Sequence, residues 1–134
     1  MAVPFAACMA LVASIYNLPP RVLPSIHAVE GGRMGSVGIN ANGTEDLGVM
    51  QVNTLWLPAL AAYTHTDPMV VRRRLTHEAC YNIAAAGAIL RSYLNEAKGD
   101  LMVAIGNYHS HTLLLHQAYR LKVMRSAARL FAQP

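Results

Sequence analysis

The sequence has few charged residues and no long uninterrupted apolar run. Only 13% of its 134 residues are charged, whereas 54% are hydrophobic. Disordered chains combine low hydrophobicity with high charge, so this balance predicts a folded chain. No apolar stretch reaches the roughly 18 residues that a transmembrane helix needs, so no membrane span is predicted. The apolar segment Val3–Tyr16 lacks a positively charged start, which makes it a poor match to a complete signal peptide.

Cysteine is also scarce, and the two cysteines leave two interpretations open. Cys8 and Cys80 are too far apart in sequence to form a zinc-finger pair. They form either a disulfide, which requires an oxidising compartment, or two buried free thiols. His109, His111 and His116 cluster in sequence, but residues two apart on a helix point in different directions. No nearby carboxylate or cysteine completes a zinc set, so we predict no metal and no cofactor.

The basic residues are not interleaved with aromatic ones. The formal net charge is +4, but aromatic residues make up only 7% of the chain. The run Arg72–Arg74 and the later cations contain no recognised nucleic-acid motif. A solvated helix face is therefore the preferred interpretation, and no nucleic-acid partner is predicted. The later cations are Arg120, Lys122, Arg125 and Arg129.

Helical periodicity dominates, and no repeat, linker or parallel-sheet strand is recognisable. The sequence therefore predicts a mainly α fold with a single domain over residues 1–134. A second helix is predicted from about Arg21 to Glu30, ended by two glycines. Residues 31–47 are predicted to form an irregular loop or short hairpin, and the segment DLGVMQVN a helical turn. Thr76 is predicted to cap a long helix and Asp100 the helix after it. The last helix is predicted to carry an apolar stripe of Leu114, Ala118, Leu121, Met124, Ala128 and Phe131.

Glu30 is the acidic residue whose placement needs an explanation. The carboxyl end of a helix carries a partial negative charge, and apolar neighbours such as Val29 desolvate a carboxylate. Both effects raise a carboxyl pKa. A carboxylic acid that stays protonated near neutral pH can donate a proton to a leaving group. Gly31 and Gly32 leave the backbone uncrowded, so a bulky substrate can approach. The alternative is an ordinary surface glutamate at a helix end.

Three segments occur in an informative order: VEGG at residue 30, GVMQVN at 48–53 and AIGNYHS ending at Ser110. Together they resemble the lytic transglycosylases, the lysozyme-like enzymes that cut the glycan strands of peptidoglycan. The resemblance spans about Pro19 to Ser110. Gly31 stands where the family usually has serine, and His109 where asparagine is commoner. The VEGG and NYHS forms resemble the small enzymes that accompany secretion, conjugation or pilus machines.

The resemblance implies a lysozyme-like fold and a role for each matching residue. Glu30 is the catalytic acid and base, and it cleaves the bond between N-acetylmuramic acid and N-acetylglucosamine with formation of a 1,6-anhydro ring. Gln51 hydrogen-bonds the sugar, Met50 lines the floor of the cleft, and Tyr108 holds Glu30. His109 is a further residue of the cleft. Asn53 and Ser110 are weaker polar candidates.

Each assignment has a structural alternative. Met50 could be a core residue, Tyr108 a packing aromatic and Gln51 a side chain that caps the backbone. Glu45 and Asp46 are expected on a solvated loop. If one of these carboxylates faced Glu30, it would position a water molecule, and the enzyme would be a goose-type-like lysozyme. A catalytically silent glycan-binding or assembly subunit is the remaining alternative.

The resemblance also implies a location and partners. A lytic transglycosylase of this subgroup is expected in the periplasm, with peptidoglycan as its substrate and components of an envelope-spanning machine as neighbours. A signal peptide is not expected within these residues. An oxidising periplasm favours the disulfide between Cys8 and Cys80.

Overall fold

The protein is mainly α-helical. A computed structural model describes residues 2–132, and these contain seven α-helices and three short strands. The helices are α1 Ala6–Ile15, α2 Val22–Glu30, α3 Leu57–Thr64, α4 Pro68–His77, α5 Ala79–Glu96, α6 Leu101–His109 and α7 Leu113–Leu130. The described chain divides into two compact units. Unit 1 contains residues up to 29 and those from 87 onward, and unit 2 contains residues 30–86.

Local signals in the sequence set several helix ends. Proline is tolerated in the first turn of a helix, and α2 begins shortly after Pro19 and Pro20. The Asp67 side chain accepts a hydrogen bond from the Met69 backbone N–H at 2.8 Å and so caps α4. Asp100 does the same for α6, with the Val103 N–H at 3.2 Å. The predicted cap at Asp100 is thus confirmed.

Unit 2 contains a three-stranded antiparallel sheet, which confirms the predicted hairpin after α2. Strand β1 is Val37–Ile39, β2 is Glu45–Leu47 and β3 is Val52–Asn53, in the spatial order β1-β2-β3. Val37 pairs with Leu47, and Leu47 in turn pairs with Val52. A 3₁₀ helix, Thr54–Trp56, follows β3 directly and leads into α3.

Three predictions about local structure are wrong. Thr76 lies inside α4 and donates its hydroxyl to the Arg72 carbonyl oxygen at 2.8 Å, so it does not cap α5. The segment after β2 is a tight turn followed by β3, not a helical turn. The apolar stripe predicted for the last helix is mostly exposed, because α7 buries a different face that carries His116, Tyr119, Val123 and Ser126.

Within the described residues, none of the helices has both the length and the apolar character that crossing a membrane would require.

Candidate functional site

Glu30 is the last residue of α2 and the first residue of unit 2. It is half-buried. Gly31 then adopts a left-handed backbone with φ of 68°, which turns the chain out of the helix. A Cβ atom added at Gly32 would overlap the carbonyl oxygens of Gly48 and Val49. The absence of a side chain at Gly32 therefore lets the chain next to Glu30 lie directly against the GVMQVN turn.

Hydrogen bonds from the side chain of Asn82 in α5 hold the turn Gly48–Gln51. Asn82 is completely buried. Its side-chain oxygen accepts the Met50 backbone N–H at 2.7 Å, and its side-chain nitrogen donates to the carbonyl oxygens of Leu47 and Leu75 at 2.8 Å each. Because buried backbone groups need such partners, one side chain satisfies three of them and holds the turn in one conformation.

Gln51 has a strained backbone and a side chain engaged with its own turn. Its φ is 53°, in the left-handed region that non-glycine residues seldom occupy. Its side-chain nitrogen donates to the Gly48 carbonyl oxygen at 2.9 Å and to the Ser36 hydroxyl at 3.2 Å. Its side-chain oxygen lies beside Gly38, where an added Cβ would be 3.2 Å away. Phe5, Asn17, His65 and Lys98 have similar φ values, so the strain does not single out Gln51. Its hydrogen bond to the Gly48 carbonyl oxygen matches the alternative interpretation of this side chain as a backbone cap.

Met50 and Asn53 are tied into the structure around the turn. Met50 is completely buried, which matches the alternative interpretation of this residue as part of the core. The Asn53 side-chain oxygen accepts the Leu55 N–H at 2.9 Å and caps the 3₁₀ helix. Its nitrogen donates to the Asp46 carboxylate and to the Thr44 hydroxyl, each at 3.0 Å. Asn53 therefore orients Asp46.

Glu45 and Asp46 were expected on a solvated loop, but they lie in strand β2, where both are half-buried. The sequence indicates a possible hairpin in this region, but it does not show which residues form its strands. Glu45 accepts a hydrogen bond from Arg72 at 2.7 Å in a partly exposed ion pair. Asp46 lies beside Gly38, with its Cβ 3.9 Å from where a Gly38 side chain would begin. Asp46 and Gln51 thus flank the same bare stretch of β1.

The arginine run is largely committed to contacts within unit 2. Arg72 pairs with Glu45, and Arg74 pairs with Glu78 at 3.0 Å. The guanidinium of Arg74 also lies 4.1 Å from the centre of the Tyr81 ring. The hydrogen bond to Glu78 raises the pKa of Arg74 above its usual value. These contacts give the run a structural purpose.

The remaining predicted site residues belong to unit 1. Tyr108 is half-buried in α6, and His109, at the end of α6, stacks on Tyr119 with ring centres 4.7 Å apart. Ser110 ends the helix, and its hydroxyl accepts the Thr112 N–H at 3.0 Å. Tyr108, His109 and Ser110 thus lie where α6 ends, just before α7.

The other two histidines of that segment have separate partners. His111 lies 2.7 Å from the Glu96 carboxylate, and Asn107 donates to the same carboxylate oxygen at 3.0 Å. Burial, with Glu96 as a second cause, raises the pKa of neighbouring Tyr93. His116 is buried with its Nδ1 3.2 Å from the Ser110 carbonyl oxygen. Among residues 2–132, no group of three or more His, Cys, Asp or Glu side chains is arranged to hold a metal ion.

Cys8 in α1 and Cys80 in α5 are both disulfide-bonded. Neither cysteine presents a free thiol. Of the two interpretations left open by the residues, the structure has the oxidised one. His27, three residues before Glu30 in α2, packs its ring edge-on against Phe5, with ring centres 6.0 Å apart.

Asn82 is the residue of this region that sequence reasoning missed. A faint signal was present: an asparagine inside the apolar segment NIAAAGAIL cannot be buried without hydrogen-bond partners. The sequence could not identify those partners, because the groups it binds lie 7 to 35 positions away along the chain.

No protein-family model matches the chain. Two curated proteins resemble it at a distance. Protein IpgF of Shigella flexneri is 28% identical over 108 residues, which cover 80% of this chain and 67% of that protein. Protein IpgF of Shigella sonnei matches with the same identity and coverage.

Proposed function

We propose that this protein is a peptidoglycan lytic transglycosylase with Glu30 as its single catalytic acid and base. The observation that carries the proposal is the position of Glu30. It ends α2, and Gly32, two residues later, packs against the backbone of the Gly48–Gln51 turn. Two of the three segments that produce the family resemblance, VEGG and GVMQVN, are therefore in direct contact through Gly32.

The proposed reaction needs only one carboxyl group. Glu30 first gives its proton to the glycosidic oxygen, and the bond between that oxygen and the anomeric carbon of N-acetylmuramic acid breaks. The Glu30 carboxylate then takes the proton of the muramoyl 6-hydroxyl, whose oxygen bonds to the anomeric carbon and closes the anhydro ring. Glycosidases that use water normally need a second carboxylate. The proposed reaction therefore starts from the protonated carboxyl of Glu30.

Gln51 is the residue that we propose to contact the sugar. Its backbone strain and its two hydrogen bonds hold the side chain at the surface of the sheet, which reduces the entropy lost on binding. The roles that the resemblance gives to Tyr108, His109 and Ser110 in unit 1 stay predictions. Asn53 and Met50 are proposed to support the site rather than to touch substrate, since Asn53 holds Asp46 and Met50 is buried.

Hydrolysis is the second candidate, and Asp46 is the observation that favours it. Glu45 is paired with Arg72, so its carboxylate is directed toward α4. Asp46 is instead oriented by Asn53 and lies beside Gly38, which the Gln51 side chain also borders. An oriented carboxylate there could position a water molecule. The enzyme would then act as a goose-type-like lysozyme.

Product analysis separates these candidates. Purified peptidoglycan is digested with the wild type, with Glu30→Gln and with Glu78→Gln, and the soluble fragments are identified by mass spectrometry. Glu78 is an exposed glutamate paired with Arg74, so its substitution is a matched control. We expect anhydromuramoyl ends from the wild type and the control, and a loss of about 10²-fold or more in Glu30→Gln. Equal activity of Glu30→Gln and the wild type would contradict the proposal.

A silent glycan-binding subunit is separated by the same variants. If Glu30→Gln retains binding to insoluble peptidoglycan but loses all product formation, the protein is an enzyme. Binding by the wild type with no products from any variant would favour the silent subunit.

We further propose that the protein acts in the periplasm, where it opens the wall for a secretion, conjugation or pilus machine. The VEGG and NYHS forms of the motifs and the two disulfide-bonded cysteines support this proposal. Exclusive recovery of the protein from the cytoplasmic fraction of the native cell would contradict it.

A further inference from the structure

Helix α7 exposes an apolar face that none of the described residues of unit 1 covers. Leu113, Leu114 and Leu115 are 66%, 78% and 53% exposed, and Leu121 and Met124 are 46% and 53% exposed. At about 100° per residue, Leu114 and Leu121 point away from the buried face of the helix. Monomeric proteins seldom expose contiguous apolar side chains on this scale unless the surface binds a partner.

The charges on the same helix all have one sign. Arg120, Lys122, Arg125 and Arg129 lie on α7, and the sequence has no acidic residue after Asp100. Arg125 lies between the exposed leucines and the helix end, whereas Lys122 and Arg129 flank the stripe on one side. A helix that has an apolar stripe and whose charged residues are all basic has the pattern of an interfacial helix at a membrane surface.

We propose that the exposed face of α7 docks the protein on an anionic lipid bilayer. The leucines would enter the boundary between headgroups and acyl chains, while the lysine and arginine side chains reach the headgroup phosphates through their flexible stems. The helix would lie in the plane of the surface. This docking is a property of α7 and does not depend on the reaction that Glu30 carries out.

Other occupants of this surface fit less well. Two copies of α7 would bring four cations against four cations with no acidic partner, which disfavours self-association. Nucleic acid would satisfy the cations but would leave the leucines exposed, since phosphate contacts dominate such binding. An acidic helix could cover a narrow stripe. The vesicle experiment below separates such a protein partner from a lipid surface.

Vesicle co-sedimentation tests the apolar part of the proposal. The full chain is mixed with vesicles of equimolar phosphatidylcholine and phosphatidylglycerol, or of phosphatidylcholine alone. We expect binding to the anionic vesicles and a reduction of about tenfold or more in the double variant Leu114→Gln/Leu121→Gln. The control, Leu11→Gln/Leu55→Gln, removes leucines that are 62% and 72% exposed elsewhere, and it should bind like the wild type.

A second pair of variants tests the contribution of the α7 cations to vesicle binding. Lys122→Gln/Arg125→Gln should lower the partition coefficient about 5-fold per charge. Arg33→Gln/Arg73→Gln, which removes two exposed cations of unit 2, should change it much less. Circular dichroism is used as the control that each variant is folded. Absence of binding to anionic vesicles, or equal losses in the α7 and control variants, would overturn the proposal. Binding to a designed acidic amphipathic peptide but not to vesicles would overturn it in favour of a protein partner.

Discussion

At the scale of single residues, Gly32 joins the end of α2 to the turn that carries Gln51. A side chain at this position would overlap the backbone oxygens of Gly48 and Val49, and backbone cannot move aside as a flexible side chain can. We predict that Gly32→Ala lowers the free energy of unfolding by about 3 kcal/mol. Denaturant unfolding measures this change.

Gly31→Ala is the control for that substitution. Gly31 has open space around its Cα but a φ of 68°, so alanine there adds backbone strain without overlap. We expect a cost of about 1 kcal/mol. Equal costs at positions 31 and 32 would contradict the proposed contact between the chain after Glu30 and the turn.

Asn82 is the second residue whose role can be measured. Asn82→Leu would leave the Met50 N–H and the carbonyl oxygens of Leu47 and Leu75 without their buried partner. Since each unsatisfied group costs about 1–3 kcal/mol, we predict a loss of about 3 kcal/mol or more in unfolding free energy. Asn95→Leu, an exposed asparagine of the same helix, should stay within about 0.5 kcal/mol of the wild type. A similar cost for both variants would contradict the role of Asn82.

At the scale of elements, the cap of α6 is the local signal that can be tested most simply. Asp100→Ala removes the acceptor for the Val103 N–H, and we predict a loss of about 1 kcal/mol. Asp100→Asn keeps an acceptor oxygen and should restore most of the stability. Thermal unfolding of the two variants gives the comparison. If both lost equal stability, the charge of Asp100 rather than its cap would be responsible.

Elements whose ends are set by neighbouring residues could be predicted from the sequence, whereas features set by tertiary packing could not. Helix α2 was predicted within one residue of its start, because prolines and glycines bound it. Thr76 was misplaced, since a threonine inside α4 satisfies its hydroxyl on the Arg72 carbonyl as readily as a cap would. The face of α7 was assigned wrongly because both of its sides are apolar. Leu114 and Leu121 fit the helical period, but so do Tyr119 and Val123, and only tertiary packing selects between them.

The candidate site shows the same limit. Motifs in the sequence predict Glu30, Gln51 and Tyr108 as site residues, and these assignments stay predictions. Asn82 and the pairing of Asp46 with Asn53 depend on contacts between distant segments, and one sequence does not contain them. The orientation of Gln51 also follows from a left-handed backbone that its residue type does not predict.

At the scale of the whole molecule, the disulfide is the covalent constraint on the unfolded chain. The bridge predicted between Cys8 and Cys80 would close a loop of roughly 70 residues, for which the chain-entropy relation gives about 4 kcal/mol. We predict that reduction, or the Cys8→Ser/Cys80→Ser variant, lowers the unfolding free energy by up to that amount. Intact mass with and without reductant must differ by two hydrogens. Equal stability of the reduced and oxidised protein would contradict the prediction.

The most direct test of the central claim is the fate of water in the reaction. Peptidoglycan is digested in water enriched in the heavy oxygen isotope, and the masses of the fragment ends are measured by mass spectrometry. If Glu30 acts alone and the muramoyl 6-hydroxyl attacks, the products end in anhydromuramic acid and contain no heavy oxygen. If Asp46 activates water instead, each cleavage leaves one heavy oxygen on a reducing end, and that result would contradict the account given for Glu30.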